Sequence, residues 1–427
     1  MILIYRLLTN IFYPFFILFT YFRKMKKKED PLRYREKIFS SHFNIKKNEK
    51  SKLIWFHAAS VGEMNSIIPI INELRKKEIN LEFLITTVTL SSGNLIKNKF
   101  LMSENIHHRY FPYDVNFLIK DFIKMWKPDA VFFVDSEIWP NLIINLHKNR
   151  IPFSIINARI TKKSFKRWII FRKTANEIFS KFNLFLASNK ETIGHLKELG
   201  AKNIIYNGNI KLLSEIDIEK INNKNEKILL TNKFWLSAST HDGEEEFSFK
   251  THLLLKKKFD KVFTIIAPRH INRSNKIKKL CDSYKLKSQI LNKDDLISDS
   301  SEIIIINSLG VLNEFYKYAS SVFIGKSTLK VLEQVGGQNP IDAAKLNCKI
   351  YHGPYVYNFS EIYKILSDLK ISKQINSPEE LSNYLEEDLI KPKKIVSKFD
   401  SPINDLTNET LKITMNNINK FLANEAL

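Results

Sequence analysis

Short apolar runs alternate with helix-like stretches along most of this chain, and this alternation constrains the fold more than any other feature. The first series of apolar runs covers residues 53–57, 81–87, 130–134, 153–156 and 184–187. Amphipathic stretches, such as residues 115–126 and 164–179, lie between them. Continuous apolar runs of this length are typical of strands buried on both faces, and alternation with helices predicts a parallel sheet.

A second series of the same kind follows a polar stretch at residues 216–227, which we interpret as a linker. Its apolar runs cover residues 235–238, 262–267, 303–306, 322–324 and 349–351, and a helical tail begins near residue 377. A chain of 427 residues can form two cores. We therefore predict two doubly wound α/β domains, at residues 32–215 and 226–427, with the strand ends of both sheets at a shared cleft.

The amino-terminal residues 2–22 are almost entirely apolar and are long enough to span a membrane as one helix. A basic cluster follows at residues 23–28, and no small-residue cleavage site separates the two. We expect residues 1–23 to be a retained anchor with the rest of the chain on the cytoplasmic side. A spanning helix, a helix lying in the interface and a buried core helix all remain open.

The charge and cysteine content restrict the partners and the chemistry. The chain has 67 Lys and Arg against 45 Asp and Glu, a net charge of +22, which suits a nucleic acid, a phosphorylated small molecule or an acidic membrane. Two isolated cysteines exclude a disulfide framework and a four-cysteine zinc site. The sequence also lacks a dinucleotide fingerprint, a P-loop and a His-x-x-x-His pair. We expect no cofactor and no metal ion.

Polar residues follow four strands of the first series. Glu63 comes after the first strand, where it is either a general base or a first-turn residue paired with Ser60 in a capping box. Residues 135–141 follow another strand and either form a second carboxylate site or simply begin a helix. Residues 157–159 and 207–211 complete the set. Because parallel strands end at one edge, we expect these side chains to lie together.

The second series carries signals for anion binding. Arg269 ends a strand and is suited to grip a phosphate with two hydrogen bonds. Five of the 11 glycines fall between residues 310 and 353, which indicates close approach of the backbone to a ligand. The stretch 336–342 opens a helix with Asn339 as the predicted N-cap and Pro340 in the first turn. This helix start either receives phosphate or ribose oxygens or is an ordinary capped helix.

Seven motifs in the same order resemble the 3-deoxy-D-manno-octulosonate (Kdo) transferases of lipopolysaccharide synthesis. They are His57-Ala-Ala-Ser-Val-Gly-Glu63, Ser136-Glu-Ile-Trp-Pro-Asn141, Asn157-Ala-Arg159, Gly208-Asn-Ile-Lys211, Ala238-Ser-Thr-His241 with Glu244-Glu-Glu246, Ala267-Pro-Arg-His270 and Gly336-Gly-Gln-Asn-Pro340. The resemblance implies a GT-B fold on the cytoplasmic face of the inner membrane, CMP-Kdo as donor and the lipid A precursor lipid IVA as acceptor. Anionic membrane lipids are further expected partners, and nucleic acid is not.

The resemblance also implies roles for individual residues. Glu63 corresponds to the proton acceptor, and Glu137 and Lys211 correspond to stabilisers of the transition state. The implied donor site comprises Pro268, Arg269, Gly310, Val311, Leu312, Asn339, Pro340, Ile341 and Asp342. Arg269 would hold the phosphate that leaves with cytidine, and a single displacement without a metal ion would invert the anomeric carbon.

Four positions in the second series depart from the family pattern. Lys326 stands where the family usually has Gly, Gln338 where it has His, and Asp342 where it has Glu. Val311 replaces an acidic residue. Lys326 either contacts an anionic group of the donor or faces solvent. Two other functions remain open: a GT-B transferase that uses another nucleotide sugar, and a non-catalytic binder of nucleic acid or acidic lipid.

Overall fold

The computed structural model describes residues 1–43, 47–48, 50–77, 80–391 and 401–425. The described chain divides into two compact units. The first unit comprises residues 1–215 together with the segment that begins at Leu406, and the second comprises Ile216–Asp405. Each unit contains a seven-stranded sheet.

The first unit is built around a sheet with the strand order β3-β2-β1-β4-β5-β6-β7. Every pair of neighbouring strands is parallel. The strands are β1 (Lys52–His57), β2 (Leu81–Thr87), β3 (Ile106–Tyr110), β4 (Ala130–Val134), β5 (Phe153–Ala158), β6 (Leu184–Ala187) and β7 (Ile204–Tyr206). The helices are α1 (Ile2–Ile11), α2 (Tyr13–Met25), α3 (Val61–Lys77), α4 (Leu90–Lys99), α5 (Asn116–Trp126), α6 (Pro140–Lys148), α7 (Lys162–Ile170), α8 (Arg172–Phe179) and α9 (Lys190–Glu198).

The central strand β1 shows why the inner strands are continuous apolar runs. Leu53 and Trp55 enter the core on one face of the sheet, whereas Ile54 and Phe56 enter the core on the other. Helices cover both faces of the sheet, so the side chains on both faces of β1 are shielded from solvent and are apolar. The strand order reverses between β1 and β4, and folds of this kind usually bind ligands at the carboxyl ends of the strands at such a point.

The second unit has the strand order β10-β11-β9-β8-β12-β13-β14, again with parallel neighbours. The strands are β8 (Lys233–Thr240), β9 (Val262–Pro268), β10 (Ser288–Leu291), β11 (Ile303–Ile306), β12 (Ser321–Ile324), β13 (Lys349–His352) and β14 (Ser372–Gln374). The helices are α10 (Glu226–Thr231), α11 (Glu244–Lys256), α12 (Ser274–Ser283), α13 (Leu312–Tyr316), α14 (Ile341–Lys345), α15 (Ser360–Asp368) and α16 (Pro378–Ile390). Its central strand β8 lies between β9 and β12.

The carboxy-terminal helix α17 (Asn404–Glu425) corrects the prediction that residues 226–427 form one domain. From Leu406 onward it belongs to the first unit. Phe421 packs edge-on against Phe132 of β4 with ring centroids 5.3 Å apart, and Thr414 accepts a 2.8 Å hydrogen bond from the side chain of Asn207. The apolar stripe of this helix therefore completes the first core, which chain order alone did not indicate.

The amino-terminal segment is two helices, not the single helix that the sequence predicted. Helices α1 and α2 are bent by 55° at Phe12. In the described part of the chain no single helix is long and apolar enough to cross a membrane, and only this bent pair passes when its two halves are taken together. The pair is tied to the first unit: Tyr5 donates a 2.9 Å hydrogen bond to Asp114, and Arg6 donates one of 3.2 Å to Asn141.

Candidate active site

Glu63 lies in the first turn of α3, just after the carboxyl end of β1. One carboxylate oxygen accepts a hydrogen bond from the Ala59 backbone N–H at 2.8 Å, and the other accepts from the Ser60 hydroxyl at 2.7 Å. The Glu63 N–H in turn donates to Ser60 Oγ at 3.3 Å. These reciprocal hydrogen bonds between Ser60 and Glu63 form the capping box that the sequence analysis gave as one of the two alternatives for Glu63.

The Glu63 carboxylate accepts two hydrogen bonds in the capping contacts and therefore still has free lone pairs. Burial raises the pKa of Glu63, and the nearby negative charges of Asp135 and Glu137 raise it further, against the lowering effect of the Ser60 and Ala59 hydrogen bonds. A partly exposed carboxylate with a raised pKa suits a general base. The capping contacts of Glu63 therefore do not exclude a second role as a proton acceptor.

Glu137 lies between β4 and α6, and ring nitrogens of Trp139 and His57 face its carboxylate. Trp139 Nε1 donates a 2.8 Å hydrogen bond to Glu137 Oε2, and His57 Nε2 lies 3.4 Å from the same oxygen. Burial alone would raise the pKa of Glu137, but the contacts with His57 and Trp139 outweigh it and lower the pKa. The pKa shifts of the two carboxylates are therefore opposite: the surroundings favour the charged form of Glu137 and disfavour that of Glu63.

His57 is the fully buried last residue of β1, and the sequence analysis gave it no role beyond its motif. Its Nδ1 lies 2.9 Å from Thr86 Oγ1, which also accepts a 2.8 Å hydrogen bond from Trp55 Nε1. These contacts fix the plane of the imidazole ring and direct Nε2 toward Glu137. The signal in the sequence was a histidine at the end of an otherwise apolar strand, which is an unusual buried residue in that place.

Lys211 forms an ion pair with Asp135, with 3.1 Å between Nζ and Oδ2. It lies in a short 3₁₀ helix, Ile210–Leu213, that is held by two asparagines. Asn157 accepts a 3.1 Å hydrogen bond from the Ile210 N–H, and Asn209 accepts one of 3.0 Å from the Lys211 N–H. The four polar strand ends of the first sheet are thus brought together, as expected, and Asp135 joins them as a residue that had no assigned role.

Backbone strain marks the same edge of the sheet. Asp135 and Asn157 have positive φ angles of 64° and 58°. Such angles are unfavourable for residues with a Cβ, although Asp and Asn tolerate them better than most, and they often occur at functional sites. At Asp135 the left-handed conformation redirects the chain as it leaves β4. At Asn157 it bends the chain within β5.

In the second unit, a buried carboxylate organises the edge of the sheet next to β8. Glu244 opens α11 and is completely buried. Its carboxylate accepts hydrogen bonds from the backbone N–H groups of His241, Lys326, Ser327 and Thr328, and from the Thr328 hydroxyl. Glu244 therefore joins the turn after β8 to the loop after β12, and all its acceptor capacity is used within the protein.

The donor-site residues carried over by resemblance lie on several loops of this unit. Pro268 is the last residue of β9, and the Arg269 that follows is exposed. Gly310 has a φ of 80°, which suits glycine, and leads to Leu312 at the start of α13. The Val311 side chain is buried, so only its backbone is available to a ligand.

The helix start near residue 340 differs in detail from the prediction. Pro340 is the N-cap and α14 begins at Ile341, whereas Asn339 was expected to be the cap. The Asn339 side chain instead accepts a 3.0 Å hydrogen bond from the Ile341 N–H from one position further out. Ile341 is fully buried, and burial raises the pKa of Asp342 above the usual range. The helix has only five residues.

The described residues contain no group of three or more His, Cys, Asp or Glu side chains placed to hold a metal ion. The expectation that the protein needs no metal remains a prediction. What the described geometry does provide is a set of charged groups at one edge of each sheet, carboxylates with one lysine in the first unit and cations in the second.

Comparison with known proteins identifies the family. The first unit matches a sequence model described as 3-deoxy-D-manno-octulosonic-acid transferase (kdotransferase) over residues 33–214. A 3-deoxy-D-manno-octulosonic acid transferase of Rickettsia bellii is 30% identical over 391 residues, covering 90% of each chain. The protein belongs to the Kdo transferase family. This Kdo transferase family member is a glycosyltransferase, as the sequence motifs indicated.

Two further comparisons agree in sequence and in fold. The 3-deoxy-D-manno-octulosonic acid transferase of Haemophilus influenzae is 29% identical over 351 residues, covering 80% of each chain. A glycosyltransferase structure from Rickettsia africae superposes with a TM-score of 0.58 at 15% identity, covering 87% of this chain and 99% of that one. The second similarity concerns the fold alone: two parallel-sheet α/β units of the GT-B type. The predicted fold class is confirmed to that extent, and the membrane anchor in that prediction is not.

Proposed function

We propose that this enzyme transfers Kdo from CMP-Kdo to lipid IVA and inverts the configuration of the anomeric carbon. The observation that carries the proposal is the Glu63 carboxylate, which has a raised pKa and spare acceptor capacity at the edge of the first sheet. Kdo transfer is the activity in the names of the relatives. The identities of the donor, CMP-Kdo, and of the acceptor, lipid IVA, go beyond those names and are part of the proposal.

Glu63 accepts the proton of the acceptor hydroxyl as its oxygen attacks the anomeric carbon. A bond forms between that oxygen and the anomeric carbon, the bond from the anomeric carbon to the phosphate oxygen breaks with its electron pair, and CMP leaves. One displacement inverts the configuration. Since positive charge develops on the anomeric carbon, the charged Glu137 stabilises it electrostatically. Lys211, held by Asp135, provides a positive charge for the anionic groups of the substrates.

The second unit binds the CMP part of the donor in this proposal. Arg269 holds the phosphate, and the remaining contacts come from Pro268, from the backbone of residues 310–312 and from residues 339–342. Asp342 is partly buried, and this burial raises its pKa. Only the exposed part of its carboxyl group is available for a hydrogen bond to the ribose. The proposal requires no metal ion or cofactor.

We also propose that the enzyme is attached to the cytoplasmic face of the inner membrane through α1 and α2. Helices of 10 and 13 residues rise about 15 and 20 Å, less than the roughly 30 Å of a hydrocarbon core. Leu3, Leu7 and Phe15 have exposed fractions of 77%, 60% and 58%. A pair lying in the interface keeps the hydrogen bonds of Tyr5 and Arg6 to the first unit, whereas straightening the pair to span would break them.

The test of activity is a transfer assay with CMP-Kdo generated in situ and lipid IVA as acceptor. Product mass should increase by whole Kdo units, and CMP should be released in equal molar amount. NMR of the product should show an anomeric configuration opposite to that of the donor. Transfer from a UDP-sugar in place of CMP-Kdo would contradict the proposed donor, and retained configuration would contradict the single displacement.

Membrane attachment is tested separately by flotation of the full-length protein with vesicles that contain or lack anionic lipid. Leu7→Asp and Phe15→Asp should reduce binding to anionic vesicles. Leu101→Asp is the matched control, because Leu101 is 68% exposed in the same unit but lies outside the helix pair. Equal loss of binding in all three variants would contradict attachment through α1 and α2.

A further inference from the structure

Lys326 and Arg269 emerge from neighbouring strand ends at the edge of the second sheet. Arg269 follows β9 and Lys326 follows β12, and both strands flank β8. Ala238 of β8 pairs with Ala267 on one side and with Ile324 on the other, so the two cationic residues leave the sheet at the same level. Strands two positions apart are separated by about 10 Å, a distance that two long side chains can close.

The backbone at Lys326 adopts a conformation that is unfavourable for lysine. Its φ is 59°, in the left-handed region where a Cβ is strained. The Lys326 N–H donates to buried Glu244, and the Lys326 carbonyl accepts a 2.7 Å hydrogen bond from Gly337 N–H. A Cβ at the preceding Gly325 would lie 2.8 Å from Thr240 Cα. Contacts on both sides therefore fix the place from which the Lys326 side chain leaves.

In the described ranges neither the Lys326 nor the Arg269 side chain takes part in an ion pair with a carboxylate, whereas the nearby Arg273 pairs with Asp242 and Glu245. The carboxylate of Glu244 is occupied by backbone N–H groups. Partial burial, and then the positive charge of Arg269, lower the pKa of Lys326. Two cations brought together without a counter-charge are destabilising, and an anion between them removes that cost.

His241 and His270 complete the surroundings. His241 follows β8, between the two cations, and its ring centroid lies 6.0 Å from that of His270. Burial, with contributions from Lys326 and His270, lowers the pKa of His241, which favours the neutral imidazole. The neutral form of His241 leaves Arg269 and Lys326 as the cationic side chains that follow the two strands flanking β8.

We propose that Lys326 and Arg269 together bind the phosphate of the donor nucleotide, with Lys326 as a second cation beside the arginine. The inference rests on the proposed function in taking that nucleotide as part of the sugar donor. Two positive charges stabilise the phosphate as it gains negative charge while its bond to the anomeric carbon breaks. Lys326 is thus a binding residue that motif comparison alone left undecided.

The test measures calorimetric binding of cytidine, CMP and UMP to the full-length protein. Lys326→Gly should weaken CMP binding about tenfold, as expected for loss of one charge-assisted hydrogen bond, and should leave cytidine binding unchanged. Lys326→Arg keeps the charge and should remain within about threefold of wild type, because the guanidinium also binds phosphate. The ratio of CMP to cytidine affinity isolates the phosphate contribution.

A matched variant separates binding from backbone strain. Lys370 has the same φ of 59° and is exposed just before β14, at the opposite end of the strands. Glycine accepts this angle, so neither Lys326→Gly nor Lys370→Gly should lower the melting temperature. Only the first should weaken CMP binding. If Lys326→Gly keeps the wild-type melting temperature and still binds CMP more weakly, damage to the loop does not explain the loss.

Unchanged CMP affinity in Lys326→Gly, or an equal loss for cytidine and CMP, would overturn the proposal. If wild type prefers UMP to CMP, the proposed donor is wrong. A tenfold loss of UMP binding in Lys326→Gly would even then support the two-cation site. A wild-type protein that binds neither nucleotide would overturn both inferences.

Discussion

The two units use the same dipeptide in the first turn of a helix for different purposes. Gly62-Glu63 are the second and third residues of the helix after β1, whereas Gly243 and Glu244 are the N-cap and the first residue of the helix after β8. Both helices follow inner strands of their sheets. Glu63 accepts two hydrogen bonds and is partly exposed. Glu244 is completely buried and accepts hydrogen bonds from four backbone N–H groups and a hydroxyl.

The difference lies in the donors around each carboxylate. The N–H groups around Glu244 leave no lone pair of its carboxylate for a substrate, so this residue joins two loops. Glu63 has fewer donors and two carboxylates nearby, so its charged form is less favourable and it accepts a proton more readily. The position in the fold therefore supplies a carboxylate, and its neighbours decide whether that carboxylate is suited to accept a proton or serves as a structural link.

The largest expected effect is on catalysis by Glu63→Gln. Without the base, kcat should fall about 10³-fold, within the range measured for general bases. Glutamine still accepts one of the two capping hydrogen bonds, so the free energy of unfolding should change by less than about 1 kcal/mol. Steady-state kinetics and urea unfolding measure the two quantities. Glu73→Gln, on the exposed side of α3, is the matched control, and a Glu63→Gln enzyme with near-normal kcat would contradict the assignment.

Glu244→Gln should have the opposite profile. The amide NH₂ would face backbone N–H groups that now have a carboxylate acceptor, so we expect a loss of about 3 kcal/mol of stability. CMP binding should weaken with it, because the loop after β12 loses its attachment. Chemical unfolding and calorimetry test this, with Glu246→Gln in the same helical turn as control. Normal stability with reduced turnover would show that Glu244 acts in the reaction and would remove the contrast with Glu63.

The pH dependence tests why Glu63 differs. Its raised pKa places the acid limb of kcat/KM above pH 4.5, because activity is lost as the base becomes protonated. Asp135 contributes to that rise, so Asp135→Asn should move the acid limb to lower pH. Asparagine tolerates the φ of 64° at this position, so the backbone should be retained. An acid limb that stays in place or moves to higher pH would show that Asp135 does not act on Glu63.

The sequence predicted the inner strands of both sheets but not the outermost strand on each side. The strands that had no prediction are β3, β7, β10 and β14, and these are the four edge strands. They are short or polar, as in Ser372-Lys-Gln374, because one side lacks a neighbouring strand and the apolar run is not required. The return of α17 to the first unit was also missed, since its apolar stripe fits any core.

Residue types at strand ends predicted which side chains meet in the first unit. Glu63, Asp135 and Lys211 come together because parallel strands end at one edge. What these residue types did not predict is the state of each carboxylate. That depends on donors far away in sequence, such as the loop 326–328 around Glu244, 82 to 84 residues away.

Glu137 is an intermediate case and gives the smallest expected effect. Trp139 donates to its carboxylate and His57 faces it, so it has fewer donors than Glu244 but a lowered pKa, unlike Glu63. Trp139→Phe removes one donor and keeps a ring against Phe111, which now lies 5.6 Å away. We expect the pKa of Glu137 to rise and kcat to fall about tenfold, with KM for the acceptor unchanged.

Kinetic pH profiles measure this effect, with Trp168→Phe as control because that ring packs on Phe179 and not on a carboxylate. A fall that is largest at the acid end of the profile and shrinks as the pH rises shows that the Trp139 hydrogen bond keeps Glu137 charged, because Glu137 ionises again as the pH rises. A fall that is the same at every pH would mean that the tryptophan only positions the carboxylate. In that case the Trp139 hydrogen bond would set the geometry of the carboxylate, and the balance between burial and His57 would set its charge state.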